Sequence, residues 1–326
     1  MKAYEDDKLQ VGQHDKPLTD INYLDVPLLS QMDIPLSDWQ KHLNYRHFQF
    51  IGAICEDIIF GCAIVKSIVS MTAFAYVYLP KSDDMTIVSA NDLVMQDSHI
   101  DTRPKNNYSI FAKKDLLIHF RQRDNLWKAG CETKEFTAEV KFEAHEFQPM
   151  CLLTLTGGRG FTYAQKYAGL PAKGFVKYKD KTYDLEALGA FTHHDWTGGF
   201  LRSETVWQWA CFTAKVQDVS IGLNVSRGVN ETGYTENCYW INGKLNKVNF
   251  IHFTFDRQDI NSNWTIKSED GQIDLMFEPH GFNIQKKNFV ITKSNFKQII
   301  GTFTGQVGGV TVDKIYGFVE DQYLKW

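Results

Sequence analysis

From about residue 48 onward, apolar and polar residues alternate with a period of two, and this alternation constrains the chain more than any other feature. Glu135 to Glu143 reads EFTAEVKFE, with Phe136, Ala138, Val140 and Phe142 on one face and Thr137, Glu139, Lys141 and Glu143 on the other. Side chains of a strand point alternately to opposite faces, so such a segment is a half-buried antiparallel strand. Asp115 to Gln122, Asp218 to Ser226 and Asn249 to Phe255 follow the same rule. Turn signals separate the runs: LysSerAspAsp at 81–84, AsnGly at 242–243 and AspGly at 270–271. The last two suit tight hairpins, whose central residues need positive φ. About ten such runs lie between residues 50 and 195 and about ten more between 204 and 320. One helix is expected, over Pro35 to Tyr45 with Ser37 as its cap. So many short strands, with no short-period repeat, predict an all-β chain of two tandem lipocalin-like antiparallel barrels with little helix. The barrel domains are expected at 1–200 (with the short helical segment) and 201–326.

Composition excludes several classes. With 43% hydrophobic and 23% charged residues the chain is neither disordered nor collagen-like. A net charge of −4 gives no electrostatic case for nucleic acid. No stretch approaches the roughly 18 consecutive apolar residues that span a bilayer as a helix. The N-terminal residues are polar and acidic, without a basic region followed by an apolar one, so a cytoplasmic protein is expected. The six cysteines form no C-x-x-C pair, which fits reduced thiols. Sequons at Asn107, Asn224, Asn230 and Asn263 are then coincidental. Phosphate-loop, dinucleotide, nucleophile-elbow and zincin motifs are all absent. No cofactor is expected. Aromatic residues, at 14%, are the unusual quantity.

Residues 191–240 hold the densest cluster of unusual side chains. On a strand, His193 and Asp195 share one face, and His194 and Trp196 share the other. Gly198-Gly199 and Arg202 follow. Thr205, Trp207, Trp209 and Cys211 then occupy one face of the next strand. Polar residues come after them at Asn224, Arg227, Asn230, Glu231, Glu236 and Asn237. One reading is a pocket floored by tryptophans and closed by a carboxylate, a histidine and an arginine. A carboxyl beside aromatic walls is poorly solvated, which raises its pKa and suits a general acid. Tryptophan faces also attract cations. The other reading is structural: Trp207 and Trp209 fill a barrel, Arg202 and Asp195 form a buried ion pair, and the polar residues cap turns. A metal site is not expected, because adjacent strand histidines point apart and no ligand spacing is present.

The string His194-Asp195-Trp196-Thr197-Gly198-Gly199, with Arg202, Thr205, Trp207 and Trp209-Ala210, resembles the family catalogued as domain of unknown function 2804. Gly222-Leu223-Asn224, Glu236-Asn237 and Trp240-Ile241-Asn242-Gly243 resemble it too. So does the tail, through Trp264, Asp274-Leu275, Phe277, Pro279, Phe296, Gly301, Gly305, Gly317, Glu320 and Trp326. The family is similar in architecture to the hydroxyneurosporene synthase (carotenoid 1,2-hydratase) and tocopherol cyclase groups, which implies tandem lipocalin-like barrels. In those hydratases an aspartic acid is thought to protonate an isoprenoid double bond, with aromatics shielding the cation. Asp195 occupies a comparable place. The surrounding motif departs from the hydratases, so the resemblance carries architecture more than reaction.

Three functional expectations follow. The first is a protein that binds a lipophilic small molecule near the domain junction, through His194, Trp196, Arg202, Trp207, Trp209, Asn224 and Glu236. The second is a hydratase, isomerase or cyclase acting on an isoprenoid or unsaturated lipid, with Asp195 as general acid and His193 beside it. The third is an interaction protein whose barrel is filled by its own side chains.

Overall fold

The computed structural model describes residues 1–68, 70–93, 97–157, 160–229, 233–288 and 293–325. The chain is all-β and forms two lipocalin-like antiparallel barrels in tandem. Among the described residues, its one α-helix is Asp38–Asn44. Ser37 caps it: the Ser37 hydroxyl accepts from the Gln40 amide, and the Gln40 side chain accepts from the Ser37 amide. That reciprocal pairing satisfies two amides that the first turn would otherwise leave open.

Three large sheets follow. The eight-stranded sheet runs Gly12–His14, Met150–Leu155, Phe161–Pro171, Phe191–Gly199, Arg46–Ile54, Ile59–Lys66, Met71–Leu79, Asp84–Asp92 in spatial order. A six-stranded sheet, from Tyr108–Lys113 to Lys181–Asp184, covers one of its faces. The nine-stranded sheet uses only later residues, from Glu204 to Lys325. Hairpin chemistry places the turns where the dipeptides predict. Ile241 pairs with Lys244 across Asn242 and Gly243, which both have positive φ.

Alternation decides where the cores lie. Phe136, Ala138, Val140 and Phe142 point into the first barrel, joined by Phe60, Phe111, Phe120 and Trp127. Phe212, Phe253, Trp264, Phe277 and Phe303 fill the second. Each barrel therefore has an apolar core built from its own side chains. A third apolar cluster lies between the eight- and nine-stranded sheets, where Phe50, Phe74 and Tyr76 meet Trp209, Trp240 and Phe318. For this reason the strands Phe161–Pro171 and Phe191–Gly199 are buried on both faces.

The two sheets come together backbone to backbone at a pair of glycines. Gly169, in a bulge with φ of +104°, lies against Ile221 and Gly222. A Cβ on Gly222 would come within 2.0 Å of the Ala168 carbonyl oxygen. Only glycine permits this approach. Beyond this pinch, in the direction of Lys166, the space between the sheets opens into a cavity of about 660 Å³.

Candidate functional site: a cleft between the two barrels

Cross-strand register builds the inner end of the cavity. Lys166 stands directly opposite Asp195 on the neighbouring antiparallel strand. Its ammonium nitrogen lies 2.5 Å from Asp195 Oδ2 and 2.9 Å from Glu236 Oε2. Asp195 belongs to the eight-stranded sheet, while Glu236 shortly precedes Cys238–Ile241 of the nine-stranded one. One lysine thus ties the two sheets together through two carboxylates. Thr197 donates to Asp195 Oδ1 at 3.0 Å, and Ser226 donates to Glu236 Oε1 at 3.2 Å. All three charged side chains are buried. Burial works against the Lys166 ammonium, but Asp195 and Glu236 outweigh it and hold its pKa above the ordinary lysine value. For Asp195, burial raises the pKa, Lys166 pulls it back and Glu236 pushes it up again; the net direction is upward.

A third carboxylate faces the same space. Glu320 accepts from Trp207 Nε1 at 3.0 Å and from Gln298 Nε2 at 2.8 Å. No ion pair to Lys or Arg holds it among the described residues. Burial pushes its carboxyl up to about 7, against the opposing pull of its two N–H donors. A group poised there changes protonation near neutrality.

The walls are aromatic: Phe48, Phe50 and Phe74 from one sheet, Trp207, Trp209 and Phe296 from the other. Phe74 and Phe296 meet across the gap with ring centroids 5.7 Å apart. Along the strand Val310–Lys325, Glu320, Gln322 and Leu324 line the cleft in turn. At about 3.3 Å per residue, that row spans roughly 13 Å. Exposed Leu93 and Lys293, with the half-buried Lys325, mark the mouth.

The structure separates the expected site residues. Asp195, Trp207, Trp209 and Glu236 come together around the cavity. His193 shares the face of Asp195 but is sealed behind it, packed on Phe50, Trp209 and Phe318. Burial, then Lys166, lowers its pKa to about 3, so it is a neutral core imidazole. His194 and Trp196 point to the opposite face. His194 packs tilted against Trp127 in the first barrel, with ring centroids 4.1 Å apart, and Trp196 packs on His47 and Tyr163 beneath the N-terminal segment. Strand alternation takes both away from the cavity. Arg202 is exposed and donates to the Gly228 carbonyl, so it is not a partner of Asp195. Asn224 stands behind the wall: it accepts from Trp209 Nε1 at 2.8 Å and donates to the Glu236 carbonyl at 3.0 Å, fixing the ring. Asn237 accepts from the Ser226 amide at 2.7 Å. Asn230, Glu231 and Trp326 lie outside the described residues.

Sequence reasoning missed Lys166, Glu320 and Gln298. Lys166 carried a signal, as a single charge in the run FTYAQKYAGL. Glu320 stands only among the positions of the family resemblance, without a site role, because Asp321 beside it bears the same charge; the two point to opposite faces, and Asp321 pairs with Arg257 and Lys297. Among the described residues no group of three or more His, Cys, Asp or Glu is placed to hold a metal ion. No helix there is long and apolar enough to cross a membrane.

The family model described as "Domain of unknown function (DUF2804)" matches residues 8–326. The chain belongs to this family. No curated protein matches the sequence of this DUF2804 chain. Its fold is similar to that of CghA, solved with Sch210972, at a TM-score of 0.59 and 10% identity over 97% of this chain and 96% of that one. A further similar structure is kievitone hydratase from Nectria haematococca, at a TM-score of 0.48 and 11% identity over 98% of each chain. At such identities the likeness to CghA is one of fold.

Proposed function

We propose that this protein binds an elongated lipophilic small molecule in the cleft between its two barrel domains, taken as residues 1–200 and 201–326. The observation that carries this reading is the cavity itself: about 660 Å³, walled by aromatic rings and ending on buried ionisable groups. Binding sites for small molecules are typically concave and apolar, with a few polar groups that converge to orient the ligand. A purely interactive role, with both barrels filled, gives no account of such a space between them. The crystal structure of CghA, a protein of similar fold, contains a small molecule, which supports the reading. Titration with Nile red, a neutral lipophilic dye, tests it. Wild-type protein is expected to enhance its emission saturably. Val65→Trp, which fills one apolar wall, should abolish the enhancement. No saturable signal, or an unchanged one in the variant, counts against the cleft.

A second reading is an enzyme of the hydratase, isomerase or cyclase type acting on an isoprenoid or unsaturated lipid, with Asp195 as the acid. Its support is the raised pKa of a buried carboxyl at the end of an apolar cleft. Loss of turnover in Asp195→Asn with Nile red binding intact is the expected result. Intact turnover in that variant removes Asp195 from the role.

A further inference from the structure

The inner end of the cleft has an imbalance of charge. Asp195, Glu236 and Glu320 all line it, and Lys166 is the one buried cation among the described residues there. That lysine is already engaged by two of the carboxylates. Among the described residues, the side chains that hydrogen-bond Glu320 are neutral donors, Trp207 and Gln298. The side chains around it are Lys166 and Asp195 from the facing sheet, Tyr76 from the strand Met71–Leu79, and Cys211 from its own sheet. None of these supplies a second cation. The Trp207 and Trp209 rings flank the same end, and the Lys166 ammonium already lies 5.9 Å from the Trp209 ring centroid. An electron-rich ring face beside an uncompensated carboxylate is the arrangement that receives a cation.

Resting on the cleft reading above, we infer that the ligand enters with a cationic head innermost: a lipophilic amine, whose ammonium group meets Glu320 beside the tryptophan wall. A fatty acid is disfavoured in that orientation, because its carboxylate would be the fourth at a buried end where three already share the one Lys166 cation. The reverse orientation would set a carboxylate near Lys293 and Lys325, which pair across two strands at the mouth. It would also press an apolar chain end onto the buried ionic cluster and leave Glu320 unanswered. The roughly 13 Å row from Glu320 to Leu324 suits a chain of about ten to twelve carbons.

Protonation of Glu320 makes the inference testable without knowing the natural ligand. Its carboxyl titrates near neutrality. An ammonium partner stabilises the ionised form, so binding releases a proton and affinity rises as pH increases through that range. The amine itself stays charged until about pH 10.

Dodecylamine, dodecan-1-ol and dodecanoate are the probes, titrated by calorimetry below their aggregation limits at about pH 8, where Glu320 is ionised. Dodecylamine is expected to bind at least about tenfold more tightly than dodecanoate, with the alcohol between them. Its affinity should rise with pH through neutrality while that of the alcohol stays level. Glu320→Gln, which keeps an acceptor for Trp207, should bring amine and alcohol to within about threefold of each other. Dodecanoate binding as tightly as the amine overturns the inference and leaves the cleft reading standing. A full amine advantage in Glu320→Gln removes Glu320 as the partner. Should that variant not fold, a flat pH profile for the amine in wild-type protein overturns it equally. If none of the three probes binds, both the inference and the cleft reading fail.

Discussion

The strand Phe191–Gly199 has two faces with opposite characters. His194 and Trp196 look into the first barrel and its N-terminal cover, where they pack among buried aromatic rings and aliphatic chains. His193, Asp195 and Thr197 look toward the second barrel, where similar rings surround a cavity and an ionic cluster. Both faces are aromatic, both are buried, and adjacent residues supply them. What differs is the partner across the gap. A sheet closed on its own chain can match its shape side chain by side chain. Two barrels meeting face to face come closest at the Gly169–Gly222 pinch and leave a cavity between them toward Lys166. Aromatic content alone does not therefore distinguish packing from a ligand site.

Removing the cation of the cluster should break the cleft face most severely. Lys166→Met leaves Asp195 and Glu236 buried without compensation, and a loss of about 3–5 kcal/mol is expected in urea denaturation. Neutralising both carboxylates as well (Asp195→Asn, Glu236→Gln) should recover most of it. A loss near zero in the single variant would mean that the cluster is open to water. On the barrel face, Trp127→Ala should cost a similar amount, about 3–5 kcal/mol, through the cavity it leaves, while Nile red binding to the folded protein is unchanged.

Acid should act on both faces together. His47, beside Trp196, and His193, beside Phe50, are each held near a pKa of about 3, chiefly by burial. Below about pH 6.5 the unfolded chain binds protons that the folded chain does not, so stability falls as pH drops toward 3. Glu320 acts in the opposite sense. Its folded pKa of about 7 lies above the unfolded 4.5, so the fold gains from it at low pH and loses that gain as pH rises through this window. Denaturation midpoints between about pH 3 and 8 should therefore drop on the acid side, less steeply in His47→Gln and His193→Gln. An acid limb unchanged in both variants would show that neither ring is kept neutral.

The smallest change in stability is expected at Trp207, which is only half-buried at the cleft wall. Trp207→Ala should cost about 1 kcal/mol, because much of the ring is not removed from water on folding. Nile red affinity should nevertheless fall by about tenfold. A stability loss as large as that of Trp127→Ala would erase the distinction between the two faces.

Much of this fold is legible in the order of residues. Period-two alternation determines the strands, their buried faces and the all-β class, because the pleat sends neighbouring side chains to opposite sides whatever the tertiary context. Turn dipeptides and the Ser37 cap are equally local. Alternation also puts Asp195 and Trp196 on different faces of one strand, whatever packs against either. Only the tertiary structure decided which face meets a cavity. Lys166, Asp195, Glu236 and Glu320 come from four separate parts of the chain, and their charges lie within apolar or turn-rich runs. Their meeting depends on how one barrel packs against another, a long-range matter of shape that no spacing along the chain records.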